Sequence, residues 1–121
     1  MKRSLAIVMI LATAGCGKVE DKAYSVPGLL DMLKDKDPKA RYTAVSHLGK
    51  YGPQAKEAVP ALADALKDPD TSVRIGAAYA LGKIGPDADA AVPALKNAKK
   101  DKDRKVREGA AYALKQIQGK K

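Results

Sequence analysis

At 121 residues the chain has room for one small domain. With no Trp, no Phe and a single cysteine, it excludes a large aromatic core and an internal disulfide framework. Its formal charge of +9 is unevenly placed: residues 18–95 hold eleven basic and eleven acidic side chains, while residues 96–121 hold ten basic and three acidic, which argues against a nucleic-acid face running the length of the molecule.

The chain opens with Lys2 and Arg3, an apolar run over residues 5–12, and small residues up to Cys16. The run is too short to span a bilayer and reads as the apolar region of an export signal. Ala14-Gly15-Cys16 resembles the end of a bacterial lipobox, with Thr13 standing where Leu is usual. The resemblance implies a lipoprotein signal peptide over 1–15, a lipid (palmitate-type acyl chains and diacylglycerol) on Cys16, and a polar tether over 16–24. Several acyl chains hold stably where one holds marginally. Gly17 in place of Asp leans towards the outer membrane, where the organism has one. The tether reaches at most about 25–29 Å, which would hold the domain close to the bilayer.

From residue 25 the sequence repeats every 33 residues. Val26-Pro27, Val59-Pro60 and Val92-Pro93 align, followed by Leu29, Leu62 and Leu95. Asp35, Asp68 and Asp101 align, as do Asp37, Asp70 and Asp103, and then Arg41, Arg74 and Arg107. The pattern predicts three repeats, over about 25–52, 53–85 and 86–118, with a basic tail at 119–121. Each is expected to hold two helices, the first near 26–34, 57–67 and 90–100, the second near 38–50, 71–84 and 104–118. Asp37, Asp70 and Asp103 stand where an N-cap belongs. Pro38 fits the first helical position, and Gly52-Pro53 and Gly85-Pro86 form stops. A two-helix unit cannot bury its apolar faces alone, whereas stacked units can. The expected fold class is all-α, an α-solenoid of three two-helix repeats.

The run KDPDTSVRIGAAYALGKIGPDADAAVPAL resembles the HEAT-like repeat of the phycobilisome-lyase type, above all in the Asp-x-x-Val-Arg steps at 70–74 and 103–107. Repeat one departs, with Ala40 in the Val place. Some relatives are bilin lyases and others iron-dependent hydroxylases with His-Glu pairs; this chain has no such pair, and no residue matches a lyase site. Shared scaffold does not carry activity.

Asp37 to Arg41 and Asp70 to Arg74 are four apart, the spacing at which a pair meets along a helix or across adjacent loops, so these rows read as caps and bridges. His47, the only histidine, stands at the place that Ala80 and Ala113 hold in the other repeats and has no second ligand near it in sequence. No catalytic, cofactor or metal constellation is found, and a non-catalytic module is expected. What exceeds the repeat is the basic cluster Lys99, Lys100, Lys102, Arg104, Lys105 and Arg107. It reads as a solvated cap, as a contact for anionic lipid or polymer, or as a contact for an acidic protein. The expected role is a protein-interaction or scaffold module of the bacterial envelope, membrane-held through Cys16, with an unnamed protein partner; the alternatives are an accessory or catalytic protein of the bilin-lyase-like class, or a binder of anionic lipid or polymer through the basic C-terminal repeat. The last helix keeps Tyr112, Leu114 and Ile117, which leaves end-to-end self-association open. Nucleic acid is the least favoured partner.

Overall fold

A computed structural model describes residues 24–119. The expected signal peptide, Cys16, most of the expected tether and the last two residues of the tail lie outside the described residues. Six α-helices follow in order: α1 Val26–Met32, α2 Pro38–Tyr51, α3 Val59–Ala65, α4 Thr71–Ile84, α5 Val92–Ala98 and α6 Arg104–Gln118. Two 3₁₀ segments, Gly52–Ala58 and Gly85–Ala91, precede α3 and α5.

Local chemistry sets these boundaries. Asp37 Oδ1 accepts from the Lys39 amide at 2.9 Å, Asp70 Oδ1 from Val73 at 3.2 Å, and Asp103 Oδ1 from Lys105 and Val106 at 2.8 and 3.2 Å. Each satisfies an amide that the first turn leaves without a partner. Ser25 does the same for α1, accepting from Gly28 at 3.3 Å. At the other end, α2 and α4 stop at Gly52 and Gly85, whose φ of 60° and 79° lies where a side chain is strained. A Cβ on Gly85 would meet no atom within 4 Å, so its cost is conformational alone. Gly85→Ala is expected to lower stability by about 1–2 kcal/mol, read as a lower urea midpoint with unchanged slope.

The 3₁₀ segments are not in the expected helix pattern, yet their signal is present. In GPQAKEA and GPDADAA the small residues recur every third position, and Gly52, Ala55, Ala58 and Gly85, Ala88, Ala91 are all buried. A three-residue turn puts such positions in one row. Bulkier groups there would hold the segment off its neighbours.

The full unit is thus a 3₁₀ segment, a short helix and a long helix. Two such units are seen, 52–84 and 85–118, instead of three equivalent ones. The pair α1–α2 ahead of them has no 3₁₀ segment among the described residues and falls short of a third. The core runs unbroken through the stack: Leu29, Leu62 and Leu95 from the short helices meet Leu48, Leu81, Ile84 and Ile117 from the long ones, all essentially inaccessible. Helix α4 lies between α2 and α6 and is buried on both flanks, with Ala77, Ala78, Ala80 and Leu81 all in the core.

Candidate functional site

Two surfaces stand out. The first is the inter-helix turn of each unit. Arg41 Nε and Nη2 donate to Asp68 at 2.8 and 3.0 Å. Arg74 Nε and Nη2 donate to Asp101 at 3.0 and 3.5 Å. The four-residue pairing expected from sequence is therefore corrected: each arginine reaches 27 residues ahead to the next turn, because stacking brings that carboxylate beside it. Asp37, Asp70 and Asp103 are engaged as caps, whereas Asp68 and Asp101 take the arginines.

The same arginines brace their own turns. Arg41 Nη1 donates to the Asp35 and Lys36 carbonyls at 2.8 and 2.9 Å. Arg74 Nη1 does so to Asp68 and Pro69 at 2.8 and 3.3 Å, and Arg107 Nη1 to Asp101 and Lys102 at 2.7 and 3.1 Å. The receiving carboxylates are fixed in turn. Asp35, Asp68 and Asp101 each accept, through Oδ1, the amide two residues on at 2.8 Å, a turn closed by the side chain. The hydrogen bond that Arg41 donates to Asp68 outweighs partial burial and raises the guanidinium above its already high ordinary pKa. The stabilisation it gives is present below that value and lost only as pH rises through it, far above neutrality.

The second surface lies along the long helices. Tyr42 and Tyr79, 47% and 37% exposed, are the large apolar side chains most open to solvent among the described residues. They flank a cavity of about 250 Å³ between α2 and α4, lined also by Ile75 and rimmed by Lys50 and Lys83. The Tyr79 ring continues the row to Tyr112, at a centroid distance of 5.2 Å.

His47 is absorbed locally. Its ring stacks on Tyr24 at 4.3 Å, and Nδ1 lies 3.0 Å from the Thr43 carbonyl oxygen. Tyr51 Oη donates to the Tyr24 carbonyl at 2.7 Å, so Tyr24 covers the outer side of α2. Among the described residues no group of three or more His, Cys, Asp or Glu could hold a metal ion, and no helix is long and apolar enough to cross a membrane.

The predicted basic residues Lys99, Lys100, Lys102, Arg104, Lys105 and Arg107 are all exposed around the turn that opens α6. They are not equivalent. Arg104 is held by Glu108 at 2.9 Å along the helix, and Arg107 is clamped by its own turn.

A family model for HEAT repeats matches residues 26–115. The chain belongs to the HEAT-repeat family. The match is to HEAT repeats at large and does not single out the phycobilisome-lyase type. No curated protein matches the chain. As HEAT units, the helix pairs depend on close approach. A Cβ on Gly49 would sit 3.3 Å from the Ala80 Cα, and one on Gly82 3.1 Å from the Ala113 Cα. The same place in the last helix holds Lys115. On the opposite flank, Gly76 and Gly109 lie against Val45 and Tyr79, while the first long helix has Thr43 there. Neither end of the described stack carries glycine at the matching place.

Proposed function

We propose that this HEAT-repeat chain is a non-catalytic protein-interaction module. It acts at the bacterial envelope, where a lipid on Cys16 holds it to the membrane. The observation that carries the interaction role is the tyrosine face. Large aromatic side chains exposed side by side beside a cavity and rimmed by lysines are costly to leave in water unless something covers them. Tyrosine is also favoured at interface centres, since it buries a large area with few rotamers to freeze. The anchor and the envelope rest on the sequence of the first seventeen residues. The finer likeness to bilin-lyase repeats adds no residue to this reading.

The test is crosslinking in cells with tagged full-length protein, followed by mass spectrometry of what co-purifies from solubilised envelopes. One reproducible protein partner is expected. Replacing exposed Tyr42 by Ala together with Lys50→Glu should weaken its recovery more than ten-fold, while thermal stability changes by less than about 0.5 kcal/mol. Cys16→Ala should release the protein from the membrane fraction and lose the partner if that partner is itself membrane-bound. Undiminished recovery by the Tyr42/Lys50 variant would remove the tyrosine face from the interface. Self-crosslinks alone would sink the adaptor role.

A further inference from the structure

The arginine row has an open end. In Arg41 and Arg74 the guanidinium is used on both edges: Nη1 grips two carbonyls of its own turn, and Nε with Nη2 forms a fork on the aspartate of the next turn. Arg107 repeats the first half, with Nη1 on the Asp101 and Lys102 carbonyls. Its Nε and Nη2 have no partner among the described residues, and the side chain is exposed. The fork is therefore oriented as its two counterparts are, without the carboxylate they hold.

The surroundings favour an anion. Helix α6 begins Arg104-Lys105, with no acidic residue in its first turn, although the positive end of the helix dipole is there. Lys99, Lys100 and Lys102 precede it, and all three are exposed. Asp103 already caps this end, but the six cations outnumber Asp101, Asp103 and Glu108 around it, and an incoming anion relieves their mutual repulsion. A second copy of this chain would offer Asp35, but its first long helix would have to close on α6 with Lys115 and Thr43 at places where the α2–α4 and α4–α6 contacts have glycine.

We propose that the Nε/Nη2 edge of Arg107 is a docking site for an aspartate carboxylate of an acidic partner segment, seated as Asp68 and Asp101 are seated on Arg41 and Arg74. A planar carboxylate is the group both filled forks hold: bidentate on Arg41 at 2.8 and 3.0 Å, and mainly through Nε on Arg74 at 3.0 Å. This site is independent of the tyrosine face and stands whether or not that face has a partner.

The test is nuclear magnetic resonance of the ¹⁵N-labelled full chain. Its five arginines give five side-chain Nε–H signals. The probe is a blocked peptide of residues 67–72, the turn that fills the Arg41 fork. The Arg107 signal should shift and saturate, while those of Arg41, Arg74 and Arg104 stay in place. The same peptide with Asp68→Asn should leave Arg107 unmoved. Arg107→Lys, which keeps the charge and loses the fork, should bind roughly ten-fold more weakly, with unchanged Arg41 and Arg74 signals reporting an intact fold. Equal binding by Arg107→Lys, or binding abolished by Lys99, Lys100 and Lys102→Ala with Arg107 intact, would reduce the effect to general attraction and overturn the proposal. Vesicles containing phosphatidylglycerol serve as the other arm. A shift of Arg107 by vesicles but not by peptide would assign the fork to a phosphate surface and refute the carboxylate.

Discussion

Arg74→Ala is expected to destabilise the protein by about 3 kcal/mol, while Arg107→Ala, one repeat later, costs less than about 1 kcal/mol. The two residues are equivalent in sequence and grip the same two carbonyls of their own turns, Arg74 adding a 3.3 Å hydrogen bond to Thr71 Oγ1. They differ in what lies beyond. The Arg74 side chain is 8% exposed and its partner Asp101 13%; removing the guanidinium leaves a carboxylate in a desolvated place and frees the Asp68 and Pro69 carbonyls. One hydrogen bond to Asp101 survives, from the Asp103 amide, which keeps the loss towards the lower end for a broken buried pair. Adding Asp101→Asn should recover about 1 kcal/mol, since the uncompensated charge then disappears. For a domain of this size the single change at Arg74 lowers Tm by on the order of 10–20 °C. Equal losses at positions 74 and 107 in thermal unfolding would mean that the cross-turn pairs contribute nothing beyond the brace within each turn.

Gly82→Val is expected to cost about 2–3 kcal/mol, although valine is the better helix former. A Cβ on Gly82 would stand 2.5 Å from Tyr112 Cε2 and 3.1 Å from the Ala113 Cα. The tyrosine is half-buried and can swing away; the backbone of α6 cannot retreat without parting from α4 along its whole contact. A single methyl, as in Gly82→Ala, therefore costs less, because rotation of Tyr112 and the propensity gain of about 1 kcal/mol offset most of the clash. The branched side chain adds atoms towards α6 that have nowhere to go. Urea denaturation of the two variants checks this: a valine loss no larger than the alanine loss would show that the helices yield easily. Because the fit is local to the α4–α6 contact, the α2–α4 interface around Gly49 should keep its amide protection in hydrogen exchange.

What was legible in the sequence is what acts within a turn of the chain. Asp37, Asp70 and Asp103 cap the amides two or three residues on, and Gly52 and Gly85 stop their helices where they stand. The helix ends at 38, 71, 84, 104 and 118 could therefore be read directly, while the likeness to HEAT repeats rested on the Asp-x-x-Val-Arg steps at 70–74 and 103–107. The three-residue period of the 3₁₀ segments was equally present and was missed, since alanine carries so little apolar weight that its spacing does not register against leucine.

What stacking decides could not be read that way. The sequence offers Arg41 an aspartate four residues back; the structure gives it Asp68, 27 residues on, because contact across units depends on the offset between neighbouring turns. Nor does the register tell a middle unit from an end one. Ala78 is buried and its counterpart Ala111 exposed; Arg74 is buried and Arg107 open. The residues are the same, and only the presence of a following helix makes the difference. The sequence alone determined the repeating unit and its local caps. The tertiary structure alone decided which charges meet and which face is left for a partner, because burial is a property of neighbours in space and not of position in the chain.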